Sequence, residues 1–143
     1  MTVLGRPMML SKIHRATVTD ANRDYIGSIT IDADLLRAAG LAPHQQVDVL
    51  NVTNGHRLTT YTIEGAPGSG AVTVNGAAAR LAAKGDLVIV VGYGIVAENA
   101  VAGHQPKVVF VDQCNRPVPG AAVHTTPTAH TAQVPHPAAR RHA

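Results

Sequence analysis

The sequence is 143 residues long, 45% hydrophobic but only 3% aromatic, with no Trp, a single Cys and a formal charge of +3. That length fits one domain with one core, which must be built from Val, Ile, Leu and Ala; the lone Cys114 excludes an internal disulfide framework and a Cys-pair metal site. Nor does the charge make a nucleic-acid face: the basic residues are scattered, Arg140 and Arg141 lie near the end, and the chain before Val118 carries only about +1.

No apolar run reaches the roughly 18 residues needed to span a membrane. The start, Met1 to Met9, has one basic residue and no apolar stretch followed by a cleavage site. These features point to a soluble, cytoplasmic protein with no membrane and no nucleic-acid partner.

In chain order, Met8 to Thr19 reads as one bent β-strand or two short ones, interrupted by the basic run Lys12-Ile13-His14-Arg15. Asp20 to Asp24 is turn-like, and Tyr25 to Ile31 reads as a strand. Asp32 is a natural N-cap for a short helix over Ala33 to Ala39, which Gly40 can end. Gln46 to Val52 alternates as a strand, Asn54-Gly55 is the strongest hairpin signal, and Arg57 to Glu64 is the returning strand. Gly65 to Gly70 is a loop, Ala71 to Val74 a strand, and Asn75 a cap for a second helix over Ala77 to Ala83. Leu87 to Val91 is an apolar strand, Gly92 to Gly103 a connector with a helical turn, and Lys107 to Asp112 the last strand. From about Val118 onward the Ala, Pro, Thr and His composition lacks core periodicity, so residues 118–143 are expected to be a disordered tail to a 1–117 domain.

The chain repeats itself weakly. Thr30 to Gly40 aligns with Thr73 to Ala83, each followed by a loop and a Val-rich strand. Strand, capped helix, strand thus occurs twice, predicting a mainly β protein with short helices: a compact barrel with approximate two-fold symmetry.

Chemistry centres on Gly27-Ser28. A glycine before a serine in a β-rich stretch suits an N-to-O acyl shift, because glycine can adopt backbone angles closed to other residues. The resulting ester can eliminate at Ser28, and hydrolysis of the dehydroalanine leaves a pyruvoyl ketone at a new amino terminus. Such a ketone is an electron sink: an amino acid held on it as a Schiff base can lose carbon dioxide.

The pocket then needs cations. Arg57 offers a planar fork for a carboxylate and Lys12 a second charge, which together suit a dicarboxylic substrate. Tyr61, four positions after Arg57 in one strand, faces the same side and can protonate a carbanion; Thr60 faces the other way, a geometric tension. Asn75-Gly76-Ala77-Ala78 is a helix start whose free amides can bind a carboxylate. His14 has room for an acid-base role in cleavage. Gly65 to Gly70 lacks a P-loop ending. His124, His130, His136 and His142 recur every six residues but match no closed zinc site, so no metal is assigned.

Together these segments resemble the pyruvoyl-dependent aspartate 1-decarboxylases of bacteria. The resemblance covers roughly Arg6 to Pro117 and runs through Lys12-Ile-His-Arg15, Tyr25-Ile-Gly-Ser28, Ile31-Asp32, Asn51-Val-Thr-Asn-Gly55, Arg57, Thr60-Tyr61, Gly68-Ser-Gly70, Val74-Asn-Gly-Ala-Ala78 and Gly85-Asp86. It implies a double-psi β-barrel, a homotetramer with active sites between subunits, and conversion of L-aspartate to β-alanine and carbon dioxide for pantothenate and coenzyme A synthesis. It implies self-cleavage into a β chain, 1–27, and an α chain, 28–143, with a pyruvoyl cofactor from Ser28. Tyr61 matches the proton donor; Thr60, Gly76, Ala77 and Ala78 match substrate contacts; Arg57 and Lys12 match carboxylate-binding residues. Thr60 and Asn75, with His14 and Tyr25 in support, are associated with processing, for which some bacteria use a separate maturation factor. Pro7, where the family commonly has threonine, and the tail depart from the pattern.

The rival reading is a non-catalytic double-psi barrel serving as a binding or assembly module. The intact set Lys12, Ser28, Arg57, Thr60 and Tyr61 counts against it, because a binding module has no use for a cleavage pair and substrate cations together.

Overall fold

The computed structural model describes residues 2–118. Eight strands form one mixed sheet, β1 (Gly5–Thr17), β2 (Asp20–Asn22), β3 (Ser28–Asp32), β4 (Gln46–Asn51), β5 (Arg57–Gly65), β6 (Val72–Asn75), β7 (Leu87–Ala97) and β8 (Lys107–Phe110), in the order β2-β6-β3-β5-β4-β7-β1-β8. Among the described residues the single α-helix, α1 (Ala33–Ala39), follows β3 directly.

Chain path closes this sheet. β1 lies between β7 and β8 near one end of the order, yet two residues later the chain becomes β2 on β6 at the other end. At the crossing, Thr19 N–H donates to Val72 O at 2.8 Å, and Val72 N–H donates to Thr19 Oγ1 at 2.9 Å. The two ends of the sheet are thereby drawn together, as expected for a double-psi barrel.

The internal repeat is built into the pairing. The aligned threonines, Thr30 and Thr73, face each other as an antiparallel pair. Around them Ile29 pairs with Val74 and Ile31 with Val72, so the two strand–helical-turn–strand halves meet about a local two-fold at that pair. Each central strand also carries a parallel neighbour, β5 on β3 and β2 on β6. The core between the halves is aliphatic: Ile13, Ile29, Ile31, Leu35, Val47, Val49, Val72, Val74, Val88 and Val90 are fully buried. β-Branched side chains suit this pleated, close-packed interior.

Helix α1 has the expected bounds. Asp32 Oδ1 accepts from Asp34 N–H at 2.8 Å, and Gly40 adopts a left-handed φ of 69°. Asp32 does more than cap: its carboxylate also accepts from Gly68 N–H at 3.1 Å and Gly70 N–H at 2.8 Å, tying the Gly65–Gly70 loop to the end of β3.

Several boundaries differ from the sequence expectation. β1 starts at Gly5 and is continuous, absorbing the basic run through register shifts between Met9 and Ser11 and between Ile13 and Ala16. β7 runs to Ala97 instead of ending at Val91, because the Gly92–Ala97 stretch, expected as a connector, finishes the ladder with β1. Gly92 and Gly94 leave room for neighbouring side chains there: a Cβ on either would press on Leu41 or Leu10 and make that leucine shift. Asp20–Asn22, expected as a turn, is β2. The second helix shortens to a 3-10 turn, Gly76–Arg80, and Asn75 makes no side-chain cap. Finally, β3 begins at Ser28 rather than Tyr25.

Val118 still touches the barrel, its N–H donating to Phe110 O at 2.9 Å. The remainder of the expected tail, with its four spaced histidines, lies outside the described residues.

Candidate active site

Ser28 is the first residue of β3, and the chain passes from solvent to interior at the peptide before it. Tyr25, Ile26 and Gly27 are exposed, whereas Ser28 is 1% exposed. The Gly27–Ser28 bond therefore joins an exposed turn to a residue rooted in the central sheet.

Burial of the Ser28 hydroxyl requires partners. Its Oγ donates to Ile26 O at 3.0 Å, which turns the hydroxyl back over the preceding turn, and accepts from Asn75 Nδ2 at 3.0 Å. The same Asn75 amide donates to Thr30 Oγ1 at 3.0 Å. Strand geometry explains the cluster: Ser28 and Thr30 lie two apart on one face of β3, and Ser28 pairs directly with Asn75 on β6. Asn75 thus gives up the capping role for a buried bridge between two hydroxyls.

Next to it, Gly76 has φ 68°, and a Cβ there would lie 2.6 Å from Gly27 Cα and 2.8 Å from Gly27 N. Glycine is required at Gly76 for both reasons. Gly27 itself differs from expectation: its φ is outside the left-handed region, and a Cβ on it would meet nothing within 4 Å. In the uncut chain the special backbone belongs to the residue opposite the bond, not to the residue before it.

β5 brings the next group. Ile29 registers with Thr62 and Thr30 with Ile63; one step back along these parallel strands, Tyr61 is level with Ser28 and on its face. Arg57, at the exposed start of β5, shares that face by alternation, and Tyr61 is half-buried. Thr60 alternates to the other side with Leu58 and the fully buried Thr62, so the tension seen in the sequence persists within one chain. Ala77 and Ala78 follow Gly76 in the 3-10 turn.

Lys12 and His14 lie elsewhere. Both are on β1, which β5, β4 and β7 separate from β3 in the sheet order. His14 packs edge-on against Phe110, ring centroids 5.3 Å apart. Burial, and then the nearby charges of Lys12 and Arg15, hold its imidazole below the usual histidine range, favouring the neutral ring. Within one chain, therefore, Ser28, Asn75, Gly76, Gly27 and Tyr61 are brought together by hydrogen bonds, packing and register, whereas the strand pairings of Lys12 and His14 are with β7 and β8.

The family model described as aspartate decarboxylase matches residues 4–118, and curated proteins align over most of the same span. The aspartate 1-decarboxylase of Dehalococcoides mccartyi is 58% identical over 76% of this chain and 88% of its own length. Aspartate 1-decarboxylase 2 of Gloeobacter violaceus is 59% identical over 78% of this chain and 89% of its own, and the Neisseria meningitidis enzyme is 55% identical over 78% and 87%.

The chain belongs to the aspartate decarboxylase family.

The aspartate decarboxylase match ends at Val118, whose backbone N–H is bonded to the barrel. One member of the polar cluster escaped the sequence reading. Thr30 was legible as lying two residues from Ser28 in a strand, but its link to Asn75 required the strand pairing. Among the described residues no group of three His, Cys, Asp or Glu side chains could hold a metal, and no helix is long and apolar enough to cross a membrane.

Proposed function

We propose that this chain is a self-processing aspartate decarboxylase that cuts its own Gly27–Ser28 peptide, converts residue 28 to a pyruvoyl group, and turns L-aspartate into β-alanine and carbon dioxide. The observation carrying this reading is the buried Ser28 hydroxyl, folded back over the preceding turn and held by Asn75 at 3.0 Å. An ordinary turn serine is solvated; this one is positioned.

The site fits the group. Residue 28 is anchored through β3, Gly76 lets its own backbone lie against the Gly27 backbone, and Asn75 and Thr30 supply polar contacts. The pyruvoyl group would supply a ketone that bonds the substrate amine and draws in the electron pair freed when carbon dioxide leaves. Arg57 then holds a substrate carboxylate by its planar fork, the backbone at Gly76, Ala77 and Ala78 lines the substrate, and Tyr61 keeps a phenolic proton on the Ser28 face for delivery to carbon. Thr60 assists where strand twist or a neighbouring subunit brings it in.

A homotetramer with sites between subunits accounts for Lys12 and His14. β1 is not paired with β3 or β5 of its own chain, and a neighbour's β1 can supply Lys12 as the second carboxylate-binding cation and His14 for processing, with Tyr25 in support. Exposed apolar side chains on the described surface, including Leu4, Ile26, Tyr93 and Ile95, are consistent with subunit contacts. The 1–117 barrel would carry the activity, with residues 118–143 as an appendage. We place the enzyme in the cytoplasm, supplying β-alanine for pantothenate and coenzyme A synthesis, with cleavage either unaided or promoted by a maturation factor.

Ser28→Ala tests this directly. The variant is expected to remain a single chain and to release no β-alanine from L-aspartate, measured by amino-acid analysis; a Ser28→Ala protein that decarboxylates at the wild-type rate would reject the mechanism.

A further inference from the structure

A cleft of about 400 Å³ opens beside the proposed cut, lined by Arg23, Asp24, Gly76, Ala77 and Arg80. Gly76 is common to this cleft and to the cut, since it packs directly against the backbone of Gly27. Two guanidiniums and one carboxylate line the space, a surplus of one positive charge. Among the described residues neither the Arg23 nor the Arg80 guanidinium has a hydrogen-bond or ion-pair partner; the ion pairs are Arg6–Glu98 and Arg37–Asp34. Nothing in the proposed decarboxylation uses either arginine.

Self-cleavage creates one new anion at this place. We propose that Arg23 and Arg80 receive the carboxylate released at Gly27 when the ester eliminates; this rests on the cleavage reading above. In the acyl shift, Ser28 Oγ bonds to the Gly27 carbonyl carbon, the C–N bond breaks and nitrogen takes the hydroxyl proton. In the elimination, a water molecule takes the Cα proton of residue 28, the Cβ–Oγ bond breaks, and its electron pair leaves with Oγ as the Gly27 carboxylate. Water then adds to the imine tautomer of the dehydroalanine and ammonia departs, leaving the ketone.

A carboxylate is the leaving group of the carbon–oxygen cleavage, so cations positioned for it lower that barrier and hold the product apart. Their surplus charge is neutralised only after the cut. Asp24 opposes the same step, because its carboxylate competes for the guanidiniums and repels the new one. Gly27 is also exposed and meets no neighbour on its Cβ side, which leaves the freed terminus able to swing past Gly76 toward the cleft.

The experiment follows cleavage in the full-length chain, purified cold and warmed, by intact mass under denaturing conditions, with a hydroxylamine quench that converts any standing ester to a Gly27 hydroxamate. R23Q/R80Q is expected to cut about tenfold more slowly than wild type and to accumulate ester. R23K/R80K should recover part of the rate. Asp24→Asn should cut faster, an opposite sign that misfolding does not produce. A wild-type chain that cuts while R23Q/R80Q cuts equally fast with no added ester overturns this assignment alone. A wild-type chain that never cuts, whether warmed alone or with an added cell extract that supplies a maturation factor, overturns it together with the cleavage reading.

Discussion

At the scale of single residues, the site is defined by what happens to buried hydroxyls. Ser28 and Thr30 share one donor, the Asn75 amide, at 3.0 Å each. Removing that donor by Asn75→Ala leaves a buried hydroxyl without its partner, at a cost of about 1–3 kcal/mol, and lets the Ser28 side chain turn away. Cleavage should slow by about tenfold or more, read by intact mass, while the barrel still folds. Tyr61→Phe separates the two reactions. It should cut normally but lose about a hundredfold in decarboxylation, the usual contribution of a positioned proton donor. Equal losses in both steps would mean that the phenol serves processing rather than turnover. Tyr61 and Arg57 could be grouped from strand alternation alone, whereas Thr30 and the reassigned Asn75 could not. An asparagine before Gly-Ala-Ala reads as a helix cap until its strand partner is known.

At the scale of elements, local chemistry was legible where one residue type fills one backbone role. Asp32 and Gly40 bracket α1 as expected because a capping carboxylate and a left-handed glycine are local requirements. β2 and the second half of β7 were not legible: Asp20–Asn22 is polar, and Gly92–Ala97 carries two glycines, so only pairing with β6 and β1 makes them strands. The glycine that mattered was also misplaced, from Gly27 to Gly76. Gly76→Ala is accordingly expected to destabilise the barrel and displace the Gly27 turn, costing at least about 1–2 kcal/mol for the left-handed residue alone. Gly27→Ala should leave thermal stability near wild type. Equal melting temperatures for the two would refute that contrast.

Asp32 makes an element-scale prediction in pH. Burial alone would raise its carboxyl, but the N–H groups of Gly70, Asp34, Gly68 and Leu35 outweigh this and hold it below its ordinary value of 3.8. The folded carboxyl therefore binds fewer protons than the unfolded one. Its contribution is fully present above about pH 4, and is lost as pH falls through the depressed folded value. Asp86, lowered by the Ala83 N–H and the Asn51 amide, acts in the same sense. Urea unfolding across pH 2–5 should show stability falling with acid, and Asp32→Asn should flatten that slope. An unchanged slope would mean that the loop tie through Gly68 and Gly70 contributes no acid sensitivity.

At the scale of the whole molecule, pairing of Thr30 with Thr73 makes the sequence repeat a spatial two-fold, and this was the most informative long-range signal in the chain. The repeat could announce the barrel because both halves carry the same strand and cap pattern. It could not announce which strands lie beside Ser28, since β1 and β3 are close in sequence yet three strands apart in the sheet order. That separation makes a shared site between subunits testable by complementation. Lys12→Ala and Tyr61→Phe should each be nearly inactive alone, yet their co-expressed mixed oligomers should recover decarboxylation, because a site can then draw intact residues from different chains. Mixed oligomers as inactive as the parents would place Lys12 and Tyr61 in the same subunit's contribution.

The central claim is that the chain makes its own catalytic group by cutting before Ser28, and intact mass spectrometry of the active preparation under denaturing conditions tests it most directly. Two chains should be found, residues 1–27 ending in a carboxylate and residues 28–143 lacking ammonia and carrying a ketone. A single full-length mass in a preparation that converts aspartate to β-alanine would contradict it.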